Sequence, residues 1–413
     1  MGVRLSFPNG TPEPEGRTNL TAGADTFVGR TAELDELRAV WRDPDRRWVT
    51  LVGPPGVGKT RLASHLGWTL VNTVAAVEAW FCGLTEAHSE LEVLSLWLTQ
   101  LDPAAPMRDD IEALWELLVA ELAERHAVLL ILDGVDALVD TLRPMVGRLL
   151  SRLPQVQVVV TSRQPLHGPD EQQMRLGPLP TTEAVALFKT RAQSYGVPPV
   201  KAEDEVLREL VERLDGFPLA IELAAARRTI MTPRQMLNRL ERRFRLLDGS
   251  APRRGKAALT LRQALDWSWD MLSPTEQSTL AQASVFRGGF TLELAEAIIA
   301  LPPDEGQETP WVVDLLASLY DRSLLKTERD GATLRYALYA SVHDYAADHL
   351  RSTTAIRDRH ARTMLAWAQQ RSAQLDTAHE AQALAQMARE RSNLDAAFDH
   401  LLIHHPQDAA HLA

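Results

Sequence analysis

At 413 residues the chain has room for about three domains of ordinary size, each with its own core. Its content of 45% hydrophobic and 24% charged residues is that of a globular protein, and a single cysteine, Cys82, excludes internal disulfides and fits a reducing, cytoplasmic setting. The net charge of −11 argues against coating of DNA by the whole molecule, and the longest apolar run, AVLLIL at 127–132, is far too short to cross a bilayer.

Residues 1–23 are rich in Gly, Pro, Thr and Asn without periodicity, and predict a flexible leader. From residue 24 to 180 the pattern alternates. TAELDELRAVW spaces Leu34, Leu37 and Val40 as a helix does. RWVTLVG then predicts a buried strand, KTRLASHLGWTLV a helix, and VEAWFCG, AVLLILD and VQVVVTSR further strands, each separated by an apolar-periodic helix. Strands and helices in alternation imply a parallel sheet covered on both faces. Over 181–247 the strands stop, and four short amphipathic helices predict a helical lid. DGSAPRRGKA at 248–257 reads as an exposed basic linker opening a winged-helix domain over 248–352. There helices precede Asp330-Gly331, a hairpin signal between two runs of strand type. Residues 353–413 are Ala- and Leu-rich helix, read as the start of TPR-like repeats.

The chemistry concentrates in LVGPPGVGKT at 51–60. Gly53, four further residues, Gly58, Lys59 and Thr60 complete a phosphate-loop pattern between a strand and a helix. Residues Pro55, Gly56, Val57, Gly58, Lys59, Thr60 and Arg61 are the expected nucleotide contacts. Glycines let backbone N–H groups face phosphate oxygens, Lys59 reaches the terminal phosphates, and the Thr60 hydroxyl ligates Mg²⁺. Asp133 ends a strand at the edge where ligands bind such sheets, and would hold the same Mg²⁺. Fast ATPases place a second acid beside this one to position water. Here that place is Gly134, and the next acid, Asp136, either reaches the water or caps the following helix. Thr161 and Arg163, at the tip of another strand, sense the γ-phosphate, or Arg163 is a surface arginine.

These pieces, in this order, resemble the STAND class of P-loop NTPases, and within it the NB-ARC-like modules of bacterial signal-transduction and regulatory proteins. FVGR at 27–30 is similar to the motif that packs on adenine in that class, which places Phe27, Val28, Gly29 and Arg30 there. The class commonly has an acid after this arginine, where this chain has Thr31. GFPLAIELAAAR at 216–227 resembles the Gly-x-Pro motif, which brings Pro218 to the adenine. SVHDYAADHL at 341–350 resembles the Met-His-Asp motif, with Val342 in the methionine position, and implies that His343 contacts the β-phosphate of ADP with Asp344 in support. The likeness spans roughly residues 24–400. The phosphate loop discriminates little among families; the other two motifs, at these distances, are far more specific.

The resemblance implies an α/β P-loop nucleotide-binding domain followed by a helical lid, a winged helix and a TPR-like segment. It further implies a switch: ADP holds a closed monomer, ATP opens it and permits self-association, and slow hydrolysis resets it. An inducer or effector protein is the expected further partner. The alternatives are an AAA-type motor and a DNA-binding transcription regulator. The basic run at 239–256 favours the regulator, but direct DNA binding is not the expectation, since WVVDLLASLYDRSLL spends its face on core residues and carries two aspartates.

Overall fold

The computed structural model describes residues 18–412 apart from 21–25, 86, 104, 106–108, 198–202, 239–260, 302–309, 331–332, 352, 376 and 378. The expected linker at 248–257 and the basic run at 239–256 lie outside the described residues. The chain divides into two compact units, Met1–Leu261 and Arg262–Ala413.

In the first unit the apolar runs become strands. β1 (Trp48–Val52), β2 (Val77–Gly83), β3 (Ala127–Asp133), β4 (Val156–Ser162) and β5 (Glu171–Arg175) form one parallel sheet in the order β2-β3-β4-β1-β5. All five residues of β1 are buried, as a central parallel strand requires when helices cover both faces. β5, with the sequence EQQMR, carries no apolar run and buries only Met174, because it pairs along one edge alone. Apolar patterning therefore passes over it. The strand order places β4 between β1 and β3, with Val52 opposite Ser162 and Asp133 opposite Thr161. The tip of β4 thus stands between the phosphate loop after β1 and the acid that ends β3.

The helices of this unit are α1 (Thr31–Trp41), α2 (Lys59–Thr73), α3 (Glu90–Leu101), α4 (Ile111–Ala123) and α5 (Val139–Arg152), followed by α6 (Thr181–Ser194), α7 (Asp204–Arg213), α8 (Pro218–Ala226) and α9 (Pro233–Leu237). Ser89 and Asp110 cap α3 and α4 by accepting from the N–H groups of Glu92 and Glu112, each contributing about 1 kcal/mol. These two helices meet through the fully buried Trp97 and Trp115, edge to face at 6.3 Å. The leader departs from the sequence expectation at residues 18–20. Thr18 Oγ1 donates to Ala79 O at 2.6 Å, Asn19 exchanges two hydrogen bonds with the Phe81 backbone, and Leu20 is buried. The free edge of β2 supplies the unpaired backbone groups that hold this segment.

The second unit contains α10 (Leu261–Asp270), α11 (Pro274–Ala283), β6 (Phe290–Thr291), α12 (Leu292–Ile298), α13 (Val312–Asp321), β7 (Leu325–Asp330), β8 (Thr333–Leu338), α14 (Ala340–Asp348), α15 (Thr353–Ser372), α16 (Glu380–Arg389), α17 (Arg391–His404) and α18 (Pro406–Leu412). Its antiparallel sheet has the order β6-β8-β7, and β7 pairs with β8 from Leu325↔Leu338 to Asp330↔Thr333. The hairpin strands flank Asp330-Gly331 as patterned; the turn residues 331–332 lie outside the described residues. Asn393, fully buried at the start of α17, accepts from Arg287 N at 2.7 Å and donates to Gly289 O at 2.8 Å and Glu390 Oε2 at 2.6 Å. Among the described residues, no helix is long and apolar enough to cross a membrane.

Candidate nucleotide site

The phosphate loop closes on itself through positive-φ glycines, Gly56 at +80° and Gly58 at +98°, which turn successive N–H groups the same way before α2 begins. The Lys59 ammonium donates to Gly53 O at 2.6 Å and Pro54 O at 3.1 Å. Burial pulls its pKa down to about 8, against the pull of Asp136 and Asp133 and with that of Arg163. A polyphosphate in the loop would add countercharge to this part-buried ammonium.

Beside it, Thr60 Oγ1 donates to Asp133 Oδ1 at 2.6 Å, and Thr161 Oγ1 reaches the same oxygen at 2.6 Å. Burial holds the Asp133 pKa above the usual carboxylate range, opposed by the hydrogen bonds from Thr161 and Thr60 and by the Lys59 charge. A hydroxyl and a carboxylate oxygen this close fit a hard cation such as Mg²⁺. Among the described residues no group of three or more His, Cys, Asp or Glu forms a metal cage.

Of the two paths left open by the sequence alone, the structure closes one: the next helix starts at Val139 with Leu138 at its N-cap, so Asp136 does not cap it. Its carboxylate instead engages Ser162 and Arg163. Oδ1 accepts from Arg163 N at 2.6 Å and Ser162 Oγ at 3.1 Å, and Oδ2 pairs with Arg163 Nε at 3.1 Å. Both partners are buried, Asp136 at 8% exposure and Arg163 at 7%, so Arg163 is no surface arginine.

An open cleft extends from the loop. Phe27, Val28, Arg30, Val57, Gly58, Arg61 and Pro218 line it together, joined by Leu179, Leu187, Arg191 and Glu222. Gly29 does not line the cleft; it adopts φ +77° where a Cβ would lie 2.4 Å from Glu183 Oε2. Arg30 is committed elsewhere than to a base. Its guanidinium donates to Val57 O at 3.2 Å and Gly177 O at 2.5 Å and pairs with Glu33 at 2.6 Å. Helix α8 reaches the loop directly: Leu219 N donates to Gly56 O at 3.1 Å, and a Cβ on Gly56 would meet Leu219 at 2.9 Å. Of the four lining residues missed by motif matching, Glu222 is four residues beyond Pro218 on α8 and shares its face, a signal available from spacing. Leu179, Leu187 and Arg191 give no such signal.

His343 stands on α14 in the second unit. Its Nδ1 is 3.5 Å from Asp344 Oδ1, and its Nε2 is shielded from solvent without a hydrogen-bond partner among the described residues.

Residues 26–161 match the family described as AAA ATPase domain. An uncharacterized protein of Mycobacterium tuberculosis is 34% identical over 338 residues, which cover 81% of this chain and 82% of that protein. The chain belongs to the same family. A second protein of that organism, named "Putative HTH-type transcriptional regulator", is 31% identical over 368 residues. The match covers 85% of this chain and 39% of that protein. Among solved structures, the ORC2 protein of Aeropyrum pernix, in ADPNP–ADP complexes, superposes with a TM-score of 0.51 at 14% identity, covering 80% of this chain and 96% of its own. At that identity the likeness shows the fold alone. The first unit is a P-loop ATPase domain with a five-stranded parallel sheet, a fold built to bind nucleotide, and the chain continues into a helical C-terminal region.

Proposed function

We propose that the protein is a nucleotide-dependent switch. ADP holds a closed monomer; exchange for ATP opens it and permits self-association; slow hydrolysis resets it. The observation that carries this reading is the engagement of Asp136 within the protein, away from a water-positioning place beside Asp133. The acid nearest Asp133 in sequence is buried and bonded to Arg163 and Ser162. A site built this way holds its nucleotide far longer than it turns it over.

Arg163 supplies the differential contact that any switch requires. A γ-phosphate draws its guanidinium from Asp136, whereas ADP leaves the pair intact. The shielded, unpartnered Nε2 of His343 supports the second half of the reading, in which the imidazole meets the β-phosphate of ADP. Under this proposal the helices and hairpin of the second unit serve as a winged helix, and residues 353–412 as the first TPR-like helices. Mg²⁺ held by Thr60 and Asp133 neutralises phosphate charge when nucleotide is bound.

Turnover at saturating ATP separates this reading from a motor. The expected rate is below about 0.1 s⁻¹, whereas steady turnover near 1 s⁻¹ or faster, the range of ordinary enzymes, favours the AAA-type motor. In the same preparation His343→Ala is expected to loosen ADP and raise the oligomer fraction; an unchanged affinity and elution profile removes His343 from the mechanism.

The longer relative's name favours a second reading, a regulator of transcription. The α13 helix argues against direct reading of DNA by this region. It buries Leu315, Leu316 and Leu319 and carries Asp314 and Asp321, leaving no basic face for phosphates.

A further inference from the structure

Three charged side chains meet on the wall of the cleft. Glu222 Oε1 accepts from Arg61 Nη1 at 2.9 Å and from Arg191 Nε at 2.8 Å. Both arginines also donate to Thr26 O, each at 3.2 Å. Glu222 is the one carboxylate among the residues that line the cleft. Its other oxygen, Oε2, has no hydrogen bond among the described residues, and the side chain is 33% exposed.

The position of this carboxylate follows from its partners. Arg61 comes directly after Lys59 and Thr60, in the first turn of α2, at the phosphate end. Thr26 precedes Phe27 and Val28, apolar lining residues suited to a base. Glu222 is bonded to a residue at the phosphate end and, through both arginines, to the segment at the base end. In any nucleotide the sugar lies between phosphates and base, so Glu222 stands at sugar height.

We propose that Glu222 reads the 2′,3′-diol of a ribonucleotide, and that Arg61 and Arg191 position it. A carboxylate offers about four acceptor sites, and two arginines occupy only those of Oε1. Oε2 remains to accept from hydroxyl groups, the same use that an acid on the ribose has in dinucleotide-binding folds. The two guanidiniums keep the group ionised and fix its rotamer. A deoxyribose leaves Oε2 without its partner, and a 2′-phosphate meets a like charge. The inference rests on the nucleotide reading of the cleft, and not on the switching that follows from it.

The test is equilibrium binding of ADP and 2′-deoxy-ADP to the full chain, wild type, Glu222→Gln and Glu222→Ala. Loss of a hydrogen bond to a charged group weakens binding roughly ten- to hundred-fold, the deficit expected for 2′-deoxy-ADP on the wild type. Glu222→Ala should bind the two within about two-fold of each other, and Glu222→Gln, which keeps one acceptor and the side-chain shape, should fall between. Equal affinities on the wild type overturn the proposal whatever the variants do. So does full discrimination retained by Glu222→Ala, or by Glu222→Gln should the alanine variant not fold. Absence of binding of either nucleotide to folded wild type removes the nucleotide reading and this proposal together, an outcome unlike equal binding of both.

Discussion

Gly134 follows Asp133 with φ at +73°, and a Cβ built there falls 2.5 Å from Thr85 Oγ1. The place where a fast ATPase keeps its water-positioning acid is therefore closed twice, by backbone conformation and by a neighbour. Gly134→Asp is expected to cost about 1–3 kcal/mol of stability without raising turnover, as read by thermal unfolding and steady-state hydrolysis. A stable variant that hydrolyses ATP faster contradicts this view of the site. The Asp136–Arg163 pair gives a sharper test. Asp136→Ala removes one member of a buried ion pair, an expected loss of about 3–5 kcal/mol. If Arg163 serves the γ-phosphate, a non-hydrolysable ATP analogue recovers more of that loss than ADP does. Equal recovery by the two nucleotides removes Arg163 from γ-phosphate sensing. The missing acid was legible in the sequence as a glycine. That Asp136 is already occupied was not, because it depends on β4 lying between β1 and β3 and so bringing Arg163 to it.

Among the elements, those with a strong period were legible and those shaped by their neighbours were not. β1, β3 and β4 announce themselves as apolar runs because both faces are covered. β5 is polar because it is an edge, and residues 18–20 are fixed only because the opposite edge has backbone groups to offer. In the cleft, motif residues such as Phe27 and Pro218 were legible, whereas Leu187 and Arg191 arrive from α6 by tertiary packing alone. The polar joint of the second unit was equally hidden. His360, on α15, is 3% exposed and meets Phe286 edge to face at 5.6 Å. Burial pulls its pKa down to about 4, with Asn393 hydrogen bonding against that shift and the charges of His400 and Arg287 adding to it. Between pH 6.5 and about 4 the unfolded chain binds a proton that the folded chain refuses, so stability falls as the pH drops through this window. The loss should approach roughly 3 kcal/mol, at about 1.4 kcal/mol per pH unit. Equilibrium unfolding across that range should show the slope in the wild type and a flatter one in His360→Phe. Parallel slopes would falsify the assignment to His360.

At the scale of the molecule, the P-loop ATPase domain carries helix α8 bonded to its own phosphate loop and a buried Asp136–Arg163 pair. These two features join the first unit to the switching proposed for the whole chain. One relative is a family member covered over 82% of its length, and another is a longer protein of which the match covers 39%. The most direct measurement is the identity and stoichiometry of the nucleotide on the purified protein, taken with its solution mass before and after exchange for a non-hydrolysable ATP analogue. The expected result is about one ADP per chain on a monomer, and a larger species once the analogue is bound. Folded protein without nucleotide, or an unchanged mass with the analogue in place, contradicts the switch.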